Sequence, residues 1–159
     1  MTSVRTRAQT SRAAHPAPSR RAPVGDAPRL RTFRRIAVPA DGDCLFHAVN
    51  AAMRHTSGWR RQAANATTRS PPTVADMRRD VAARLRRQRL PRVATRAATP
   101  GAWAETEEVI AIASLYHVRL RVWEGANQMW ITFGEDAHPL LYLRNIGNVH
   151  FEALVPAGT

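Results

Sequence analysis

The chain contains a single cysteine, Cys44, and the residues before it, from position 40, are those of a tight polar loop. Apolar residues then recur at helical spacing over 45–53, which places Cys44 in the first turn of a predicted buried helix. A helix N-terminus stabilises a thiolate through its free N–H groups and its dipole. The same groups, with those of Gly42 and Asp43 in the loop, can hold the oxyanion of a tetrahedral intermediate. The sequence therefore predicts a nucleophile with a depressed pKa, and an inert buried cysteine is the alternative.

Such a nucleophile needs a base, and His150 is the histidine best suited to supply it. His150 opens the last predicted strand. Because alternate side chains of a strand share a face, Asn148, His150 and Glu152 are expected to lie together. A neighbouring amide or carboxylate can orient the imidazole, and a satisfied polar strand edge is the alternative interpretation. Thiol chemistry with a histidine base requires no metal, and we expect no cofactor.

The elements that must position these residues can be predicted from periodicity. Helical spacing indicates three helices, and alternation of apolar and polar residues indicates a short early strand and a later meander of four strands. The predicted helices lie at 44–53, 74–85 (N-capped by Thr73) and 105–116, the strands at 35–39, 118–123, 129–133, 140–143 and 151–155, and the long loops at 54–72 and 91–100. The fold class is α+β, with a small central sheet packed between helices.

Composition sets the domain organisation. With 159 residues and 44% hydrophobic residues, the chain can form one domain with one core. Residues 1–35 hold nine arginines and one acid, a net +8 of the total +12, and their prolines prevent a continuous helix. We therefore expect a disordered tail over 1–35 and a folded domain over 36–159. A linker, a basic arm and an organelle transit peptide are three interpretations of the tail.

Charge and cysteine content exclude several classes of protein. No apolar run approaches the roughly 18 residues of a membrane-spanning helix, and no secretory signal is present, so we expect no membrane partner. One cysteine permits neither an internal disulfide nor a multi-cysteine zinc site. The free thiol suits a reducing compartment, so we expect a cytoplasmic protein, or one in the host cytoplasm if it is viral or an effector.

Two motifs of the sequence resemble those of one enzyme family. The run Asp41-Gly42-Asp43-Cys44-Leu45-Phe46-His47-Ala48 is similar to the nucleophile motif of the ovarian-tumour (OTU) deubiquitinases. The run His150-Phe151-Glu152-Ala153-Leu154 resembles their late histidine motif. Trp103, the helix after it and the strand near 118–122 also fit the family pattern. The resemblance covers residues 33–156 and implies an OTU-like fold, of the papain-like cysteine protease type.

The resemblance also implies roles for these residues. Cys44 would attack the carbonyl at the ubiquitin C-terminus, His150 would serve as its base, and Asp41 would shape the oxyanion hole formed by Gly42 and Asp43. The third member of the triad is usually Asp or Asn, and here Glu152 stands in that position with one more methylene. Asn148 or Asn145 is the alternative orienter of His150. Trp103 would pack beside the catalytic histidine, or simply in the core.

The expected function is that of a cysteine-type deubiquitinase acting through a thioester on Cys44. Its partners would be ubiquitin or a ubiquitin-like modifier and ubiquitinated proteins. A protease that cleaves its own precursor and a catalytically inactive ubiquitin-binding module are the alternatives. The arginine-rich tail alone supports only weak, salt-sensitive contacts with nucleic acid.

Overall fold

The computed structural model describes residues 29–64 and 70–157, with the side chains of residues 63 and 64 excluded. A 3-10 turn at Leu30–Thr32 precedes the regular elements. The helices are α1 (Cys44–His55), α2 (Ser57–Ala64), α3 (Val74–Arg87), α4 (Pro91–Ala98) and α5 (Thr106–Leu115), and the strands are β1 (Phe33–Ile36), β2 (Arg119–Glu124), β3 (Met129–Phe133), β4 (Leu140–Ile146) and β5 (His150–Pro156). The α+β class is confirmed. None of the helices in this part of the chain is long and apolar enough to cross a membrane.

The five strands form one mixed sheet in the order β1-β5-β4-β2-β3. The prediction of a simple meander is wrong, because β2 pairs with β4 in parallel while its other neighbour, β3, is antiparallel. Helices α1 and α5 pack on one face, whose buried residues include Leu120, Leu143 and Ala153. The opposite face carries a cluster of aromatic rings with neighbouring centroids 4.7–5.9 Å apart: Phe33, Trp123, Trp130 and Tyr142.

The folded part of the chain begins before the predicted boundary at residue 36. Strand β1 starts at Phe33 and pairs antiparallel with β5, so residues that we assigned to the tail form an edge strand. The Ala157 N–H also donates to the Thr32 carbonyl at 2.9 Å. The early strand was predicted at 35–39 and lies at Phe33–Ile36, because its pairing with β5 sets where it begins and ends. Residues 1–28 of the predicted tail lie outside the described residues.

Both predicted long loops contain a helix. Helix α2 lies within 54–72 and is anchored to the core by one large residue, Trp59, so it produces no apolar stripe. Helix α4 lies within 91–100 and buries only the small residues Ala94 and Ala97. Pro91 occupies the first turn of α4, where its missing N–H costs nothing. The helix predicted at 74–85 does end before this proline, at Arg87, and the proline begins the next helix.

The predicted start of α3 is confirmed, because the Thr73 side chain accepts a hydrogen bond from the Asp76 N–H at 3.1 Å. Helix α5 begins with a capping box formed by Glu105 and Glu108. Glu108 is fully buried, and Arg96 of α4 binds both of its carboxylate oxygens at 2.8 and 2.9 Å. This bidentate pair fixes α4 against α5 and thereby positions the loop 99–105, which packs against the loop before Cys44.

Candidate active site

Cys44 lies at the N-terminus of α1 with its thiol turned into the protein, and only 2% of the residue is exposed. The Sγ atom contacts the backbone on either side of His150. It lies 4.0 Å from the Val149 carbonyl oxygen, and the Phe151 N–H is directed toward it. The prediction that Cys44 begins a buried helix is confirmed, and the fold brings the thiol to the start of β5.

The prediction of a depressed pKa at Cys44 is wrong. Burial raises the pKa of the Cys44 thiol above its ordinary value, and the nearby Asp41 carboxylate adds to the increase. The N–H groups of Phe151 and Leu45 lower the pKa, as expected at a helix start, but burial outweighs them. Cys44 therefore rests as a neutral thiol and needs a base to become a nucleophile.

This pKa direction predicts how alkylation should depend on pH. The rate of Cys44 modification by iodoacetamide should inflect above the roughly 8.5 of a free thiol, since the thiolate is the reacting form. Mass spectrometry of the intact protein across a pH series measures this rate, and the chain has no second cysteine to interfere. An inflection below the free value would mean that the helix N-terminus outweighs burial.

The loop before Cys44 is folded back on itself by Asp41. The Asp41 carboxylate accepts from the Asp43 N–H at 2.9 Å, and the Asp41 carbonyl accepts from the Cys44 N–H at 3.2 Å. The Asp43 N–H is thus already engaged and is not a free oxyanion donor here. The Gly42 N–H has no hydrogen-bond acceptor within the described parts of the chain. Of the two N–H groups expected to donate to the oxyanion, those of Gly42 and Asp43, the geometry favours that of Gly42.

Gly42 is required for a steric reason that the sequence did not reveal. A Cβ atom at this position would lie 1.6 Å from the Gly101 carbonyl oxygen, closer than any non-bonded contact. Gly101 has φ +74°, a left-handed conformation that glycine adopts without strain. Two glycines therefore allow the 99–105 loop to pack directly against the loop of the nucleophile.

Arg78 of α3 joins the segments around this contact. Its side chain is buried, and its Nε and Nη2 atoms bind the Asp43 carboxylate. Nη2 also donates to the carbonyls of Gly42 at 3.0 Å and Ala102 at 2.7 Å. Nη1 donates to the Ala97 carbonyl at 3.0 Å. One planar guanidinium thus holds the nucleophile loop, the end of α4 and the loop before α5, a function that needs its fixed fork of donors.

His150 opens β5 as predicted, and Glu152 lies on the same strand face two residues later. The His150 Nδ1 atom and the Glu152 Oε2 atom are both buried without a hydrogen-bond partner in the described chain. The nearest cation to Glu152 is Arg144, whose Nη1 lies 4.0 Å from Oε2. A histidine N–H donor and a carboxylate acceptor on one face are chemically complementary, so this pair can form the orienting contact.

The two asparagines that might have oriented His150 lie elsewhere. Asn145 pairs with Phe151 across the β4–β5 ladder, which puts it on the face opposite to His150. Asn148 has φ +60° and follows Gly147 at φ +59°, so these two are the central residues of the turn Ile146–Val149, within the three-residue connection between β4 and β5. Asn148 is therefore not in the strand, and the expectation that it shares a strand face with His150 is wrong.

A pocket of about 220 Å³ lies between the first turn of α5 and the sheet, and both asparagines line it. Phe151 also lines it, so the pocket is adjacent to the backbone that contacts Cys44.

Trp103 directly precedes the pocket residue Ala104 and is 49% exposed, which excludes simple core packing. The ring contacts of the described residues include none between Trp103 and His150.

Asp41, Asp43 and His47 bring atoms of metal-ligand type within 4.8 Å of one another. Arg78 already binds the Asp43 carboxylate, and Gly101 donates to it at 3.1 Å. Because the Arg78 guanidinium already binds the Asp43 carboxylate, that carboxylate is not free to bind a metal ion.

No protein-family model matches the chain, and no curated protein sequence matches it significantly. Its structure is similar to solved OTU domains. One was solved in complex with ubiquitin; it has a TM-score of 0.61 and 17% identity, over 77% of this chain and 69% of that one. The Hazara virus OTU bound to ubiquitin has a TM-score of 0.58 and 18% identity, over 80% and 83%. An OTU deubiquitinase from Wolbachia pipientis wMel has a TM-score of 0.56 and 17% identity, over 79% and 90%.

These likenesses extend over most of both chains in each pair, although fewer than one residue in five is identical. The OTU fold that the motifs at Cys44 and His150 indicated is therefore confirmed. Because the fold places both motifs at the junction of α1 and β5, the site described above is the candidate active site.

Proposed function

We propose that the protein is a cysteine-type deubiquitinase that hydrolyses isopeptide or peptide bonds at the ubiquitin C-terminus. The observation that carries the proposal is the position of the chain's one thiol in an OTU fold. Cys44 begins α1, and its Sγ lies against the backbone that flanks His150. Two of the similar OTU structures were solved with ubiquitin, which supports ubiquitin as the partner of this chain.

In the proposed reaction, His150 removes the proton from the Cys44 thiol, whose raised pKa makes a base necessary. The thiolate attacks the carbonyl carbon, and the oxyanion accepts from the Gly42 N–H in the loop that Asp41 folds. His150 then protonates the leaving amine, and water hydrolyses the thioester. Glu152 is the positioning residue for His150. A reducing compartment such as the cytoplasm would keep this free thiol reduced.

Two other functions use the same site. A protease that cleaves its own precursor would need the same thiol and histidine but would not need ubiquitin. An inactive ubiquitin-binding module would retain the partner without the chemistry, and the presence of both Cys44 and His150 disfavours it.

A ubiquitin probe with a thiol-reactive electrophile at its C-terminus tests the proposal. The wild-type protein is expected to form a covalent adduct that is heavier by the mass of one ubiquitin on a denaturing gel, because the thiol is joined to the probe through one thioether. The variant Cys44→Ala removes the nucleophile with little change in packing volume and is expected to form none.

A matched control separates the chemistry from binding. Cys44→Ala should still bind ubiquitin non-covalently, because the thiol is buried and contributes almost no surface. Failure of folded wild-type protein to form the adduct, while Cys44 remains alkylated by iodoacetamide, would contradict the proposal and favour a self-cleaving protease.

A further inference from the structure

The turn between α3 and α4 presents a cluster of arginines to solvent. Residues 86–92 read Arg-Arg-Gln-Arg-Leu-Pro-Arg, and all four arginines are exposed. Within the described chain, none of these four guanidinium groups forms an ion pair with a carboxylate. Arg79 and Arg96, on the same two helices, do bind carboxylates. We call the four unpaired arginines the basic turn: Arg86, Arg87, Arg89 and Arg92.

The backbone of the basic turn is fixed by hydrogen bonds at the end of α3. The Arg89 N–H donates to the Arg86 carbonyl at 2.9 Å, and the Leu90 N–H donates to the Leu85 carbonyl at 3.0 Å. This pair of bonds is a Schellman motif, and Pro91 begins α4 directly after it. The guanidinium groups therefore extend from a backbone that does not have to be ordered when a ligand binds.

Two of the four arginines occupy positions that the backbone disfavours. Arg89 has φ +61°, the left-handed position that a Schellman motif usually gives to glycine. Arg92 lies in the first turn of α4, where the helix dipole favours an acid and opposes a cation. The dipole of α3 accounts only for Arg86 and Arg87, which lie at its C-terminal end. Binding of an anionic ligand explains Arg89 and Arg92 better than helix stability does.

The chemistry of the basic turn fits a ligand with many phosphate groups. An arginine guanidinium binds a phosphate through two parallel hydrogen bonds. Residues 84–93 include no aromatic side chain on which an unpaired base could stack. The exposed large hydrophobic residues of the described chain, Trp103 and Val149, lie outside the turn, so it has no apolar anchor for a membrane or a protein interface. The phosphates of a nucleic acid duplex require only the cations.

The basic turn is separated from the nucleophile by the length of α3. Arg78 of this helix binds the loop before Cys44, and Arg87 follows it nine residues later, at the other end of the helix. At the helical rise this separation is about 14 Å along the axis. The contacts of the turn are therefore distinct from those that Cys44 and His150 make with their substrate.

We propose that the basic turn binds the phosphodiester backbone of a double-stranded nucleic acid through its four guanidinium groups. The binding is independent of base sequence, because contacts to the backbone carry no sequence information. This is a second activity of the protein, and it does not rest on the proposed deubiquitinase function.

Binding of a fluorescent duplex across a salt series tests the proposal. Fluorescence anisotropy measures the affinity of the full chain for a DNA duplex and for an RNA duplex of the same sequence, between about 50 and 200 mM KCl. The turn variant combines Arg86→Gln, Arg87→Gln and Arg92→Gln. Its affinity should depend less on salt, with a slope of log affinity against log salt that is lower by about 2.7, or about 0.9 for each lost phosphate contact. Over this range the wild-type affinity should fall about 40-fold more than that of the variant.

A matched control removes the same charge elsewhere. It combines Arg54→Gln, Arg60→Gln and Arg61→Gln, which replace three exposed arginines of α1 and α2. Both triple variants retain residues 1–28, so any contribution of the arginine-rich tail is the same in each. The control should keep the wild-type slope. A slope that depends on the turn supports the proposal with either duplex, and the duplex bound more tightly identifies the nucleic acid.

Arg89→Gly tests the arginine at the left-handed position. Glycine adopts φ +61° without strain, so the melting temperature should rise by about 2–4 °C while the slope falls by about 0.9. A gain in stability with a loss of binding is not expected of a residue that serves the fold. A lower melting temperature or an unchanged slope would contradict the assignment of Arg89 to the site.

Three results would overturn the proposal as a whole. They are the absence of duplex binding by the wild-type protein, a wild-type slope in the turn variant, and equal changes of slope in the turn variant and the control, which would mean that net charge alone attracts the duplex. The ubiquitin probe gives an independent measurement, since the turn variant should react with it at the wild-type rate. A slower reaction with an unchanged slope would assign the turn to ubiquitin and not to nucleic acid.

Discussion

Replacement of Arg78 by methionine is expected to lower the free energy of unfolding by about 3–5 kcal/mol, the usual cost of breaking a buried ion pair by removing one partner. The change leaves the Asp43 carboxylate without its cation and deprives the carbonyls of Gly42, Ala97 and Ala102 of their donor. Methionine retains the volume of the stem, so the loss of donors, and not a cavity, is what the variant tests. Urea denaturation followed by tryptophan fluorescence measures the change.

The adjacent residue of the same helix provides the matched control. Arg79 has a side chain that is 68% exposed and pairs with the exposed carboxylates of Asp76 and Asp80. Arg79→Met should therefore destabilise the protein far less than Arg78→Met does. Equal effects of the two substitutions would show that the contacts of Arg78 carry no special weight and would contradict our interpretation.

A second variant separates stability from positioning at this site. In Arg78→Met combined with Asp43→Asn, no unpaired carboxylate remains, so part of the lost stability should return. The loop of the nucleophile would still lack the guanidinium that joins it to α4 and to the loop before α5. We expect the folded double variant to react with the ubiquitin probe at least tenfold more slowly than wild type, since small misplacements cost that much. A wild-type rate would mean that Arg78 serves stability alone.

Arg78→Lys tests whether charge or geometry is the requirement. A lysine ammonium can neutralise Asp43 but lacks the planar fork that reaches three segments at once. We therefore expect stability between those of wild type and Arg78→Met, with a reaction rate closer to the methionine variant.

The position of Cys44 was predictable because the signals for it are local. A glycine-containing loop followed by an apolar stripe specifies a helix that starts at the cysteine, and alternating residues specify the later strands. The contacts of Arg78 are not local, since they join residues 42, 78, 97 and 102 through the folded chain. One signal was present nonetheless: Arg78 falls within the apolar stripe of α3 that includes Val74 and Val81, and a charge in such a stripe needs buried partners.

Two other errors had physical causes that the sequence does not reveal by itself. The pKa of Cys44 depends on how completely the thiol is buried, and burial is a property of the whole fold. The position of Asn148 depended on turn chemistry, because Gly147-Asn148 at positive φ forms a hairpin turn that ends the strand pattern before His150. Short helices such as α4, which bury only alanines, give almost no periodic signal.

Substitution of Glu152 by glutamine is expected to lower turnover on a ubiquitin substrate by about 10²–10⁴-fold, the range associated with loss of the carboxylate that orients a catalytic histidine. Glu152 shares a strand face with His150, and each carries a buried atom without a partner in the described chain. Glutamine keeps the size of the side chain but cannot stabilise the imidazolium by charge. Asn148→Ala changes only a turn residue and should alter turnover by less than about threefold, within the range of ordinary surface substitutions.

A charge-conserving variant distinguishes this role from a structural one. Glu152→Asp keeps the charge on a shorter arm, and recovery of turnover in this variant would mean that the charge matters more than the reach. If Glu152→Gln kept wild-type turnover while Asn148→Ala lost it, the Asn148 amide would be the group that positions His150. The Glu152 carboxylate would then have a structural role, as the ion-pair partner of Arg144 across the strands.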